Sequence, residues 1–181
     1  ITHDGEYAVA SLYPKWQGTD TELRIYKRAT DGTWSMNKQY RWQPNKTYER
    51  CCIQKRDDGD IYIFYSKPDY SIGSYKSTNN GGSWSNGSAS TDASVVFKMG
   101  HTMKINNNCT RMITCNNQTN KYYIFDIGDN AALTQIGVIS MTDMTTQPSV
   151  YSKFAEACNI SGDGSKIIVP DRERNISIDN N

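Results

Sequence analysis

Short apolar runs separated by polar turns extend along the whole chain. The runs are only a few residues long and rich in Ile, Val, Tyr and Phe, which favours β-strands over helices. We therefore predict strands joined by hairpin turns and loops. The predicted strands cover 6–12, 22–27, a segment around Trp34, 49–54, 60–65, 72–76, 101–105, 110–115, 121–127, 154–160, 165–169 and 175–178.

Polar turns that contain Gly or Asn separate many of these strands. Gly accepts the positive φ that tight hairpin turns require. The turns that contain Gly5, Gly59 and Gly164 are predicted to occupy the same place in three of four repeated units. The turns are centred on 4–5, 31–32, 58–59, 106–108 and 161–164.

One turn sequence occurs twice in the chain. Residues 26–35 read YKRATDGTWS and residues 75–85 read YKSTNNGGSWS, so Trp34 and Trp84 lie 50 positions apart. This period is typical of propeller blades and is far too long for coiled-coil heptads. We predict one domain with approximate units 1–44, 45–95, 96–145 and 146–181.

These units predict an all-β fold, a β-propeller built of four-stranded antiparallel blades. With strands named a to d from the inside, two complete blades are expected between two incomplete ones. Four blades are the lower limit for radial closure, so we expect this chain to be part of a larger propeller. The chain begins with Ile1 rather than Met, which fits a longer or processed gene product. A β-sandwich is the alternative, although it does not explain the 50-residue repeat.

The second copy of the repeated turn carries a recognisable spacing. Ser77, Asn79, Gly81 and Trp84 fit S-x-D-x-G-x-x-W, with Asn in the Asp position. This segment resembles the Asp-box, or BNR repeat, of sialidase-like β-propellers, and the resemblance covers only this turn. Ser and Asn side chains can hydrogen-bond the turn backbone, and the Trp ring can lie over the hairpin. We therefore expect a structural role for these four residues.

Composition narrows the classes of function. A net charge of +1 gives no electrostatic reason to expect a nucleic-acid partner or an anionic membrane. The apolar runs are much shorter than a bilayer span, so no membrane insertion is expected.

Five cysteines without a C-x-x-C motif, together with two histidines, argue against a metal site, and no cofactor is expected. Most cysteines are predicted to be reduced and buried, with one Cys109–Cys115 disulfide as the alternative.

The predicted b–c and d–a loops carry the candidate binding residues. Because blade strands alternate in direction, these loops share one face, opposite the tight turns. Aromatic rings stack on the apolar face of a sugar, and charged groups bind its hydroxyls. The alternative is that these are ordinary solvated loops. The candidate residues are Tyr13, Trp16, Trp42, Asp69, Tyr70, Arg172 and Arg174.

The resemblance also implies an enzymatic alternative. Sialidases use a Tyr nucleophile with an acidic partner, an Asp acid/base and three Arg that hold the substrate carboxylate. The chain contains Arg50, Arg111, Arg172 and Arg174, but it has no F-R-I-P segment, and no catalytic residue can be assigned. Glu49 and Arg50 form the one pair of interest, with a structural salt bridge as the alternative.

The sequence best fits a non-enzymatic binding or adhesion module that contacts a glycan or a protein surface. Its Asn- and Tyr-rich, Pro-poor composition suits an extracellular or virion-surface protein. The alternatives are a sialidase-like glycoside hydrolase and an architectural propeller in a larger assembly. A hydrolase should have a deep pocket that contains acids and Arg. A lectin should have shallow aromatic sites, and an architectural protein should have an extensive apolar surface.

Overall fold

A computed structural model describes residues 1–12, 22–41, 50–67, 71–89, 102–116, 121–140 and 158–169. Within these ranges, the regular structure consists of thirteen strands and one 3-10 turn, Asp129–Ala131, so no described helix could cross a membrane. The strands are β1 Tyr7–Leu12, β2 Glu22–Arg28, β3 Trp34–Arg41, β4 Cys51–Lys55, β5 Ile61–Ser66, β6 Ile72–Ser77, β7 Ser85–Asn86, β8 Met103–Ile105, β9 Arg111–Asn116, β10 Lys121–Ile127, β11 Leu133–Ser140, β12 Asn159–Ile160 and β13 Ile167–Ile168.

Consecutive strands pair in antiparallel fashion to form four separate sheets. Blade 1 contains β1-β2-β3, blade 2 β4-β5-β6-β7, blade 3 β8-β9-β10-β11 and blade 4 β12-β13. The first strands of neighbouring sheets also meet, since β4 contacts β1 and β8, and β8 contacts β12. Blades 2 and 3 each pack on both faces against a neighbour, which is the arrangement of a β-propeller and not of a two-sheet sandwich. The predicted propeller fold is confirmed, and the β-sandwich alternative is wrong.

The apolar cores lie between successive blades, because side chains alternate between the two faces of a strand. In β5, Ile61, Ile63 and Tyr65 face blade 1, whereas Tyr62 and Phe64 face blade 3. The blade 1–2 core contains Tyr7, Leu23, Ile25, Ile53, Ile61, Ile63, Tyr65 and Tyr75. The blade 2–3 core contains Tyr62, Phe64, Ile72, Met103, Cys109, Met112, Tyr123, Phe125, Ile127 and Ala131. The blade 3–4 core contains Ile113, Cys115, Tyr122, Cys158 and Ile160.

Most predicted strands that fall on described residues are present within two residues of their expected ends, and β10 matches at both ends. The strand β11 was not predicted. Its preceding turn reaches positive φ at Asn130 and Ala131 instead of at a glycine, so the usual turn signal is missing. Gly137 and a register shift opposite Ile124 and Phe125 further weaken its strand pattern. The predicted strand 175–178 lies outside the described residues.

All five cysteines are thiols in the structure, and three of them are buried. Cys109 belongs to the blade 2–3 core and Cys115 to the blade 3–4 core, so the two lie on opposite sides of blade 3. The Cys109–Cys115 disulfide, which was the alternative to reduced cysteines, is therefore wrong. Sequence proximity suggested that pair, but Cys109 lies in the turn before β9, at φ +54°, and its side chain enters the core on the other side of the blade from Cys115.

Candidate functional site

The strand ends define two edges of the blades. The turn edge carries the short hairpin connections, and the opposite, loop edge carries the strand ends from which the longer loops leave. On blade 1, Leu12 and Arg41 both pair with Glu22, so β1 and β3 end at the same edge, on either side of the start of β2. The turns on the turn edge are 2–7, 29–33, 56–60, 77–84, 106–111, 128–132 and 161–166.

An acidic or amide side chain closes most of the turns on the turn edge. Asp31 accepts the backbone N–H of Thr33 at 2.9 Å, and Asp163 accepts that of Ser165 at 3.0 Å. The Ser161 hydroxyl, followed by the backbone N–H and hydroxyl of Ser165, lowers the pKa of Asp163 to about 2. These Asp-Gly turns are therefore built to hold an ionised carboxylate.

The turn 77–84 in blade 2 is closed by two side chains. Ser77 Oγ accepts the N–H of Gly81 at 2.9 Å and donates to Asn79 Oδ1 at 3.0 Å. The same Asn79 oxygen accepts the N–H of Ser83 at 2.7 Å. Gly81 has φ +77°, and a Cβ there would lie 2.6 Å from the Tyr7 hydroxyl oxygen. Both the backbone conformation and the neighbouring blade therefore require glycine.

The same turn also binds blade 1. The Tyr7 hydroxyl donates to the Asn80 carbonyl at 2.6 Å, and Trp84 Nε1 donates to Asn37 Oδ1 at 2.9 Å. Trp84 is partly buried and packs against the blade 1–2 core. Trp84 therefore links blade 2, in which it ends the turn, to blade 1.

Arginine side chains join blades at the turn edge. Arg56 donates to the carbonyl of Ile127 at 3.1 Å, and its guanidinium carbon lies 4.7 Å from the centroid of the Tyr62 ring. Arg111 donates to Asp126 Oδ1 and to the Gly164 carbonyl, both at 3.1 Å. Arg111 therefore serves a contact between blades 3 and 4, at the edge opposite the loops.

The loop edge of blade 1 carries an ion-pair cluster. Glu22 accepts from Arg24 Nη2 at 2.7 Å and lies 3.3 Å from Arg41 Nε. The hydrogen bond from Arg24 lowers the pKa of Glu22, against the opposing effect of desolvation. The Arg41 side chain remains 71% exposed, so most of its donors face solvent.

Three tyrosines form a stack that runs from the blade 1–2 core to the surface of blade 1. The Tyr40 and Tyr75 rings lie 3.9 Å apart at an angle of 9°, and Tyr65 lies 5.1 Å from Tyr75. Lys38 Nζ lies 5.8 Å from the centroid of the Tyr40 ring. Burial raises the pKa of Tyr40 to about 12, and the nearby Tyr75 adds to this shift. Tyr65 and Tyr75 are buried while Tyr40 is partly exposed, so the stack reaches the protein surface.

The predicted binding residues Tyr13, Trp16, Trp42, Asp69, Tyr70, Arg172 and Arg174 all lie outside the described residues, as does Glu49. In sequence, Tyr13 directly follows Leu12 and Trp42 directly follows Arg41. Arg50 is described, and its backbone N–H donates to Ser66 Oγ at 3.1 Å. Within the described ranges, no three His, Cys, Asp or Glu side chains form a group that could hold a metal ion.

Sequence reasoning missed the Tyr40–Tyr75–Tyr65 stack. The high number of tyrosines was visible, but Tyr40 and Tyr75 lie 35 positions apart in different blades. The contact depends on how blades 1 and 2 stack, so no local sequence signal marks it.

Comparisons with known proteins relate this geometry to solved structures. A protein from Lactobacillus plantarum superposes with a TM-score of 0.60 at 14% identity, over 92% of this chain and 48% of that one. A candidate 6-phosphogluconolactonase from Bacteroides uniformis gives 0.59 at 14% identity, over 92% and 49%. Sqt1 from Chaetomium thermophilum, bound to the N-terminus of the ribosomal protein L10, gives 0.51 at 9% identity, over 88% and 44%.

No protein-family model and no curated protein sequence matches the chain. The chain spans about half the length of the solved structures it matches first. At such low identity these likenesses establish the fold alone. The chain consists of β-propeller blades.

Proposed function

We propose that this chain is a β-propeller binding module whose loop edge contacts a glycan or a protein surface, without catalysing a reaction. The observation that carries the proposal is the tyrosine stack, which reaches the surface at Tyr40 beside the ammonium of Lys38. Trp42 lies two residues beyond Tyr40, and Tyr13 follows β1, which β2 separates from the strand of Tyr40. Aromatic surface and exposed cations thus belong to one edge of the molecule.

The chemistry of this edge suits a polar ligand with an apolar face. Tyr40 stays neutral at physiological pH, so its ring can pack against a sugar or an aliphatic side chain without a charge to desolvate. Arg41 can donate to hydroxyls or carboxylates, because Glu22 engages only part of its guanidinium. A protein–ligand contact of this kind needs no catalytic group.

We infer further that the turn 77–84 is an Asp-box and that the chain is related to sialidase-like propellers. The hydrogen bonds of Ser77 and Asn79 and the positive φ of Gly81 support this relation. The hydrolase alternative receives less support. It needs arginines that hold a substrate carboxylate, whereas Arg111 binds Asp126 and the Gly164 carbonyl at the turn edge. An extracellular or virion-surface location remains part of the proposal.

Binding can be tested on a glycan array, using the protein and the variants Trp42→Ala and Arg41→Ala. If the loop edge binds a glycan, we expect each variant to lose about tenfold in affinity, or about 1.4 kcal/mol. Trp34→Ala is the matched control, since it removes an indole at the turn edge. Thermal melts of each variant separate lost binding from lost folding.

Other outcomes identify the alternatives. If all three variants bind the array as tightly as the unmodified protein, the loop edge is not the binding site. Release of free sialic acid from a sialoside by the unmodified protein would instead favour the hydrolase. Absence of any glycan binding, with a stable complex formed with a partner subunit, would favour the architectural role.

A further inference from the structure

Two buried cysteines from neighbouring blades meet at one backbone carbonyl. Cys115 lies near the end of β9 in blade 3, and Cys158 directly precedes β12 in blade 4. Cys115 Sγ lies 3.7 Å and Cys158 Sγ 4.0 Å from the carbonyl oxygen of Thr102. Both side chains belong to the blade 3–4 core with Ile113 and Ile160. The two thiols, one from each blade, therefore share one hydrogen-bond acceptor inside the blade 3–4 core.

The protonation behaviour of Cys158 agrees with this geometry. A hydrogen bond with the Cys115 thiol is the largest influence on it and, together with burial, raises the pKa of Cys158. Cys158 is therefore a thiol at neutral pH, in contact with Cys115 across the interface between blades.

The other three cysteines are placed differently. Cys51 and Cys52 are adjacent on β4, so their side chains point to opposite faces of blade 2. Cys109 lies in the blade 2–3 core, on the other side of blade 3 from Cys115. All five cysteines fall within described residues, and Cys115 with Cys158 is the pair that shares a hydrogen-bond acceptor.

We propose that Cys115 and Cys158 form a disulfide that joins blade 3 to blade 4 when the protein meets a disulfide oxidant such as oxidised glutathione. The Cys158 thiol loses its proton and attacks one glutathione sulfur, and the first glutathione thiolate leaves. The Cys115 thiolate then attacks the Cys158 sulfur of this mixed disulfide and displaces the second glutathione. The protein loses two electrons, glutathione disulfide gains them, and the two protons pass to the released thiolates.

The bond would stabilise the junction of the last two blades. It closes a loop between positions 115 and 158, which restricts the unfolded chain. Because both thiols are buried, they react while the blades assemble or open locally, rather than in the closed fold. This inference does not depend on what the loop edge binds.

The experiment is oxidative refolding of the full chain, followed by peptide mapping. The protein is unfolded in urea with reductant, refolded at pH 8 with reduced and oxidised glutathione, alkylated, and digested with trypsin without reduction. We expect the peptides 112–121 and 154–166 to appear as one linked species, and Cys109 to remain in a separate alkylated peptide, 105–111. The oxidised protein should melt roughly 5 to 10 °C above the reduced protein, and reductant should abolish the difference.

Variants define the pair independently of the melting temperature. Cys158→Ala and Cys115→Ala should each eliminate the linked species, whereas Cys51→Ala, the matched control, should retain it. Alkylation of both Cys115 and Cys158 in the refolded, unmodified protein would overturn the proposal, as would linkage of either one to another cysteine. Because mapping of the unmodified protein is decisive, a variant that fails to fold does not affect the conclusion.

Discussion

Two turns of similar sequence lie in adjacent blades and have different surroundings. Turn 29–33 precedes Trp34 in blade 1, and turn 77–84 ends at Trp84 in blade 2. In both, a side-chain oxygen accepts the N–H of the residue before the Trp: Asp31 from Thr33, and Asn79 from Ser83. Trp34 is 42% exposed, whereas Trp84 is hydrogen-bonded to Asn37 of the neighbouring blade.

The difference between the two turns separates what the local sequence determines from what packing between blades determines. Both turns reach positive φ at a glycine, +88° at Gly32 and +77° at Gly81, so local sequence is sufficient for the turn. A Cβ at Gly32 would meet only the Arg28 guanidinium at 3.5 Å, while at Gly81 it would overlap the Tyr7 ring and hydroxyl. The contribution of each turn to stability is therefore decided by the blade against which it packs.

The largest effect should come from Gly81→Ala compared with Gly32→Ala. Each variant places a side chain at positive φ, which costs about 1 kcal/mol. Gly81→Ala adds a collision 2.6 Å from the Tyr7 hydroxyl oxygen, so we expect a total loss of about 3 kcal/mol. Urea unfolding of both variants measures the difference. Equal losses would mean that the neighbouring blade does not constrain the turn 77–84.

A second contrast is Trp84→Ala against Trp34→Ala. Loss of the Trp84 ring removes partial burial against the blade 1–2 core and the hydrogen bond to Asn37, so we expect about 2 kcal/mol of destabilisation. Trp34→Ala should cost less than about 1 kcal/mol, as expected for an exposed side chain. Trp84→Phe, which retains most of the ring, should fall between them. A larger loss for Trp34 would reverse the comparison.

Local patterns explain which parts of the fold the sequence predicts. Strand alternation and Gly-containing turns act over a few residues, so β10 and the Asp-Gly turns were predictable. The strand β11 was missed because Asn130 and Ala131 replace glycine in its turn. The Tyr40–Tyr75 stack and the meeting of Cys115 with Cys158 were also missed, because they join different blades. Such contacts depend on how blades stack, which no local pattern encodes.

Ser77→Ala tests the side-chain closure of the buried turn. Ser77 is 1% exposed, and its hydroxyl accepts the N–H of Gly81, which would lose its partner in the variant. We expect a loss of about 1 to 2 kcal/mol, because a buried donor without a partner retains its desolvation cost. Thr33→Ala in the exposed turn is the control, and it should cost less since water replaces its hydroxyl. A Ser77→Ala variant as stable as the parent would show that the hydroxyl does not close the turn.

The smallest and most specific effect should come from Asn79→Asp, which introduces the acid found at Asp31. Asn79 Oδ1 acts only as an acceptor, from Ser77 and Ser83, so a carboxylate can replace it. Hydrogen bonds from Thr33 lower the pKa of Asp31 below its ordinary value of 3.8, and the same should hold for the carboxylate at position 79. A lowered folded-state pKa stabilises the fold above the unfolded-state pKa, and this stabilisation is lost as pH falls through the folded value. Relative to the parent protein, the variant should therefore gain stability at pH 7 and lose that gain on acidification toward pH 2. Urea midpoints of both proteins across this range measure the difference, and a difference independent of pH would show that the new carboxylate receives no hydrogen bonds from the turn.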